Sequence, residues 1–270
     1  MKAWDIEKFL AEDEGFGDIT AALLPDIEGS ANVIAHEHGV VAGLTEAESI
    51  FSYRNLVTAP FYCDGDVIKK DGTILRVLGP VREILVTERV ALNFLCRMSG
   101  IATITRHCVE AAGAVTVAAT RKTTPGFRLY EKKAVVIGGG DPHRYSLSEA
   151  YLFKDNHLKV ISAEDALREK ALFTKKVEIE VESVDECIRA AELGADIIMF
   201  DNMEVEQITA AVNKLKTLNL RGNVVLEASG GIRPNDIAKY AATGVDVLSL
   251  GYLTHSSRWL DFSLELDAPD

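Results

Sequence analysis

The sequence predicts an α/β protein in which a small antiparallel sheet precedes a parallel barrel of strands and helices, and three observations predict it. Residues 31–86 read as short strands separated by turn residues. After Gly113 the order becomes strand, loop, helix, repeatedly. Polar residues or glycines recur at the C-terminal end of the later strands, where barrel enzymes build their active sites. An open, doubly wound sheet would gather such residues at a single switch point instead. The expectation is therefore a barrel with fewer than the usual eight strands.

The antiparallel part rests on "ANVIAHEHGVVAG" and "FYCDGDVIKKDGTILRVLG", where Asp64-Gly65 and Asp71-Gly72 supply residues that tolerate positive φ. "TERVALNFLCRMSGIATITRHCVEAAG" follows, with Val90, Phe94, Leu95 and Met98 at helical spacing. Thr87 is its expected N-cap and Gly113 its end. The parallel strands are "VTVAA", "AYLF", "VEIEV", "DIIMF", "VVLEA" and "VDVLSL". Continuous apolar runs of this kind belong to strands covered on both faces. Amphipathic stretches such as "SVDECIRAAELGA" and "IRPNDIAKYAATG" separate the later ones.

The formal net charge of -12 speaks against nucleic acid as a general partner and favours solubility. Cys63, Cys96, Cys108 and Cys187 show no CxxC spacing, so they are expected to be reduced core residues rather than a zinc or disulfide framework. The charged N-terminus lacks an apolar signal core, and no segment reaches membrane-spanning length without charges. The expected location is the cytoplasm, with no membrane partner.

Against this acidic background, residues 120–158 collect Arg121, Lys122, Arg128, His143, Arg144 and Lys154. Arg offers a planar fork to carboxylates and phosphates and Lys a point charge, so a convergent set suits a ligand with more than one anionic group. Singly, each also reads as a solvated loop charge. Glu180 and Asp201 close neighbouring predicted strands, and paired carboxylates beside an anion site invite a divalent metal such as magnesium. Local pairing with Lys or Arg is the alternative, and Glu178 and Glu182 share the parity of Glu180. "ASGGI" and "SLGYLTHS" follow the last two strands, where barrels bind phosphate through loop amides; they offer Ser229, Gly230, Gly251 and His255. Tight turns alone would also explain these glycines. "GGG" at 138–140 does not make a GxGxxG dinucleotide motif. Lys154, at a strand end, also permits Schiff-base chemistry, though charge pairing with an anion is preferred.

Taken in order, "GDIT", "GVVAG", "ERVALNFLCRMSGIATIT", "TRKTTPGFR", "GGGDPHR", "KDNHL", "EIEVE", "FDNM", "EASGGI" and "LTHS" resemble the quinolinate phosphoribosyltransferase family nearly end to end. Phe200 and Cys96 depart from its pattern conservatively. "DPHRYSLSE" is shared in kind with a molybdate-transport-associated paralogous group, but the "KDNH" run favours the quinolinate enzyme.

The resemblance implies transfer of phosphoribose from phosphoribosyl pyrophosphate to quinolinate, giving nicotinate mononucleotide, pyrophosphate and carbon dioxide. A paralogue acting on nicotinate is the alternative. It also implies an N-terminal α+β sandwich domain over residues 1–112, an incomplete α/β barrel over 113–256, and a tail, 257–270, packed on the first domain. Magnesium with phosphoribosyl pyrophosphate, no organic cofactor, and a homodimer with a shared site are implied as well. By motif position Arg121, Lys122, His143, Arg144 and Lys154 face quinolinate, Thr120 joins the substrate-binding set, and Arg89 comes from the other subunit. Glu180 and Asp201 lie near ribose and magnesium; Ser229, Gly230, Gly251 and His255 hold the ribose phosphate. Lys122, Lys154, Glu180 and Asp201 are the implied catalytic set. Arg128 and His157 keep a structural reading.

Overall fold

Alternation organises the first sheet of this computed structural model, which describes residues 1–168 and 175–267. In β1 (Glu28–Ala35), Ala31, Val33 and Ala35 are buried while their neighbours are partly exposed, the period of two of a strand with one face on a core. β1 pairs antiparallel with β5 (Gly72–Pro80) and β12 (Phe262–Leu266), and β3 (Val57–Pro60) adds to β5, giving the order β12-β1-β5-β3. A short antiparallel pair, β2 (Gly39–Val40) with β4 (Val67–Ile68), stands beside it. Asp71 (φ 62°) and Gly65 (φ 101°) take the left-handed turn positions.

This sheet belongs to one compact unit, Met1–Ile104 with the segment from Ser257; Thr105–Ser256 form the other. The last three residues of the expected tail, 268–270, lie outside the described residues. Within the first unit are α1 (Ala3–Glu14), α2 (Leu44–Tyr53) and the start of α3 (Val81–Ala112). The all-strand reading of residues 31–86 is corrected by α2, in which Leu44, Ala47, Ile50 and Phe51 form one buried stripe. Helix α3 also begins earlier than expected, straight after β5. Thr87 is not its N-cap but a buried interior residue whose hydroxyl donates to the Glu83 carbonyl at 2.7 Å. Its end is as expected, with Gly113 at φ 63°. Cys63 is a second correction: it is exposed, in a turn where its N–H donates to Asp66 Oδ2, while the other three cysteines are buried.

The second unit contains six parallel strands, β6 (Thr116–Ala119), β7 (Tyr151–Phe153), β8 (Val177–Val181), β9 (Ile197–Asp201), β10 (Val225–Ser229) and β11 (Val247–Leu250). Their order is β6-β11-β10-β9-β8-β7. The last strand thus returns to pair with the first, as in a barrel, while no described pairing joins β6 to β7. The expected incomplete barrel is what the chain forms. Helices α4 (Arg128–Ile137), α5 (Asp155–Leu158), α6 (Ala163–Arg168), α7 (Val184–Glu192), α8 (Val205–Thr217), α9 (Ile237–Ala241) and α10 (Tyr252–His255) alternate with the strands. Helix α8 buries Ile208, Ala211, Val212 and Leu215 along one stripe. Among the described residues no helix is long and apolar enough to cross a membrane.

The C-terminal segment seats closely on α3. The Leu260 N–H donates to the Cys96 carbonyl at 3.0 Å, and a Cβ at Gly100 would fall 2.0 Å from the Arg258 carbonyl oxygen. Gly100→Ala is therefore expected to destabilise the fold by about 1–3 kcal/mol through overpacking. A urea unfolding midpoint equal to that of the unaltered protein would contradict this.

Candidate active site

Residues of one parity at the strand ends meet around a single cleft. Leu152 and Lys154, Met199 and Asp201, Glu227 and Ser229, with Glu180 and Ser249, line a volume of about 420 Å³. The period of two in each strand brings them there, since alternate side chains share a face. Loops complete the rim with Thr120, Arg121, Lys122, His143 and Arg144. A second lobe of about 390 Å³ shares Lys122, Ser229 and Gly230 with the first and adds Gly251, His255, Arg233 and Tyr252. Thr120, Arg121, Lys122, His143, Arg144, Lys154, Glu180, Asp201, Ser229, Gly230, Gly251 and His255 each line one of these lobes, and Arg89 is the remaining member of the expected substrate-binding set. That residue lies in the first unit, on α3, exposed, with its guanidinium 3.8 Å from Glu88.

The glycines of the second lobe are held by their surroundings. Gly230 has φ 95°, and a Cβ there would meet Asn202 at 2.4 Å; conformation and space both demand glycine. At Gly251 a Cβ would press on the His255 ring at 3.0 Å and on Lys122 at 3.1 Å. The Lys122 carbonyl accepts from the Thr254 hydroxyl at 2.7 Å, which ties the loop after β6 to α10.

In the first lobe the Lys154 ammonium donates to Glu180 Oε1. Burial raises the Glu180 pKa, with Lys154 opposing it. A Schiff-base lysine needs a free amine facing its carbonyl substrate, whereas this side chain is engaged by a carboxylate. The local-pairing alternative for Glu180 is thus realised, which leaves it one oxygen for any other partner. Asp201 accepts from the side chain of Asn202 at 2.9 Å and likewise keeps a free oxygen. His157 Nδ1 accepts from the Lys154 N–H, a local role.

Beneath the basic rim lies an acidic floor that the sequence reading did not assign. Glu178 and Glu227 are 1% and 2% exposed, and each has an oxygen without a hydrogen-bond partner. His143 Nε2 lies 3.4 Å from Glu227 and 3.9 Å from Glu178. The three ligand atoms come within 4.8 Å of one another, so a metal deserves testing against the donors. His143 Nδ1 accepts the Arg144 N–H at 2.8 Å. The ring's proton therefore sits on Nε2 and points at the carboxylates, whereas a metal needs a lone pair there and a donating Nδ1–H behind it. The set is a hydrogen-bonded floor rather than a metal centre.

Burial, followed by the neighbouring Glu227, pushes the Glu178 carboxyl up to about 8. On His143 burial acts downward, but the bond to Glu227 and the charges of Glu227 and Glu178 together hold its pKa above the ordinary value. A second ring proton requires Nδ1 to release the Arg144 N–H. The signal for Glu227 and Ser249 was present in the strands: each stands two residues before an assigned strand-end position, Ser229 and Gly251. Because the folded protein keeps a proton on Glu178 that the unfolded chain loses near pH 4.5, stability attributable to this group falls as pH rises from about 4.5 to about 8. Glu178→Gln is expected to flatten that slope in thermal unfolding across this range; parallel curves for the two proteins would contradict it.

Comparison with known proteins places the chain in a family. Residues 18–99 match the model for the quinolinate phosphoribosyl transferase N-terminal domain and residues 101–265 that for the C-terminal domain. A protein of Archaeoglobus fulgidus described as "Probable nicotinate-nucleotide pyrophosphorylase (carboxylating)" is 48% identical over 256 residues, covering 93% of this chain and 98% of its own. The human nicotinate-nucleotide pyrophosphorylase (carboxylating) is 40% identical over 87% of this chain and 82% of its own. The solved nicotinate-nucleotide pyrophosphorylase from Francisella tularensis superposes with a TM-score of 0.91 at 37% identity, over 99% of this chain and 98% of that one. With both domain models matched in order along nearly the whole sequence, the chain belongs to the quinolinate phosphoribosyltransferase family.

Proposed function

We propose that the protein transfers phosphoribose from phosphoribosyl pyrophosphate to quinolinate and releases pyrophosphate and carbon dioxide, with the two lobes as the two substrate sites. The observation that carries this reading is the convergence of Arg121, Lys122, His143, Arg144 and Lys154 on one lobe. Quinolinate is a pyridine with adjacent carboxylates, and forked and point cations are its complement. The adjoining lobe, floored by Gly230 and Gly251 and flanked by Ser229, Lys122 and His255, suits the ribose phosphate.

Glu180 and Asp201 line the first lobe together with Ser229 and Gly230, which the two lobes share. Displacement of pyrophosphate builds positive charge on the ribose ring, which fixed carboxylates stabilise without reorganising. Lys154 donates to Glu180 Oε1, which aims that carboxylate and opposes the upward pull of burial on its pKa. Holding two polyanions face to face is itself worth about 7–11 kcal/mol of barrier when alignment is good. After transfer the carboxylate on the carbon next to the pyridinium nitrogen leaves as carbon dioxide, the bonding pair stays on that ring carbon where the positive nitrogen stabilises it, and a proton from solvent takes the carboxylate's place. Glu180 and Asp201 each keep a carboxylate oxygen with which they would hold a magnesium ion accompanying the pyrophosphate. Magnesium, when bound, neutralises part of the pyrophosphate charge.

Arg89 is assigned to the site of a second copy in a homodimer, on the strength of the family resemblance and its exposed guanidinium. Incubation with quinolinate and magnesium phosphoribosyl pyrophosphate should yield nicotinate mononucleotide and carbon dioxide in equal amounts; no product would overturn the reading. Arg144→Ala should raise the quinolinate KM by about 10- to 100-fold, the worth of a lost charged hydrogen-bond pair. Arg89→Ala and Arg144→Ala proteins, each impaired alone, should recover activity when mixed and allowed to exchange subunits. Absence of recovery after demonstrated exchange would remove the shared site.

A further inference from the structure

Helix α4 lies outside the cleft, yet it carries two charged side chains that are completely buried, Glu131 and Lys132. Charges are rarely buried without a task, because each must be fully hydrogen-bonded to offset its desolvation. Lys132 Nζ donates to the carbonyls of Pro142 and Arg144, the latter at 2.9 Å. One turn earlier on the same face, Arg128 Nη1 donates to the Tyr145 carbonyl at 2.9 Å and Nε to the Thr123 hydroxyl at 2.9 Å. Glu131 accepts from the N–H and the hydroxyl of Thr124, both at 3.0 Å.

Both cation-bearing loops are therefore fastened to this one helix. We propose that Lys132 is a positioning residue for quinolinate, holding His143 and Arg144 in the cleft by clamping the carbonyls on either side of His143. The need for a clamp is visible in the backbone. His143 has φ 51°, a conformation costly for a residue with a side chain, and it persists only where surrounding bonds over-determine it. Its own N–H is held by Asp141 at 2.5 Å, and the next N–H by its own ring. Lys132 supplies the remaining anchors. Burial, and after it the nearby Arg128 charge, draws its pKa down to about 8. A methionine in its place would fill similar volume but leave two carbonyls unsatisfied and the loop free to relax.

This inference rests on the reading of Arg144 as a quinolinate ligand, and a double-mutant cycle separates the two. Steady-state kinetics would be measured for Lys132→Met, Arg144→Ala and the double variant, with folding checked by circular dichroism. Lys132→Met should raise the quinolinate KM by about tenfold or more. The phosphoribosyl pyrophosphate KM should stay within about twofold, because that lobe keeps its own ties. In the Arg144→Ala background the added effect of Lys132→Met should shrink markedly, since the clamp acts through Arg144 and its neighbour. Equal weakening of both substrates, or effects that multiply in the double variant, would overturn the positioning role. No change of the quinolinate KM in Arg144→Ala alone would instead overturn the cleft reading on which it stands. Should Lys132→Met fail to fold, Arg128→Leu tests the same clamp from a half-buried position: a smaller rise in the quinolinate KM, again less than multiplicative with Arg144→Ala, supports it, and no rise overturns it.

Discussion

Like charges repel, and the cleft holds Arg121, Lys122, Arg144 and Lys154 around about 420 Å³, with His143 beside them. What offsets that repulsion is the layer of carboxylates below, Glu178 and Glu227 under His143 and Glu180 on Lys154. Burial and the neighbouring Glu227 raise the Glu178 pKa to about 8, so of the two floor carboxyls this one holds its proton more tightly than an ordinary glutamate.

This arrangement depends on where a parallel sheet allows polar groups. All five residues of β8 are buried, two glutamates among them. In such strands the middle has to pack, and only the C-terminal end opens on loops that vary freely. Alternation then decides which residues reach the cleft: Met199 and Asp201, Glu227 and Ser229 project together because they are two apart. The glycines at 230 and 251 serve the same end by clearing space for Asn202, Lys122 and His255.

The unfavourable features gather here as well. A left-handed histidine, two glutamate oxygens without partners, a fully buried lysine and a left-handed Asn202 all lie at or behind the cleft. Strain of this kind survives where surrounding bonds outweigh it and where binding benefits from a preset geometry. The bonds from α4 provide much of that counterweight.

Local chemistry was legible without coordinates. Apolar runs ending in polar residues marked all six parallel strands, and the ordered motifs picked out the cleft residues, because strand period and turn composition are properties of neighbours in sequence. Where local signals competed, the sequence misled: α2 was hidden among turn residues, and Thr87 resembled a cap although α3 had begun at Val81. Long-range relations were decided only in the tertiary structure. The return of β11 to β6, the meeting of Glu178 and Glu227 at one imidazole, and the clamping of two distant loops by Arg128, Glu131 and Lys132 each join residues far apart along the chain. A sequence displays which groups are available, but burial and approach distance set what a charged group does, and both arise only when the chain has closed on itself.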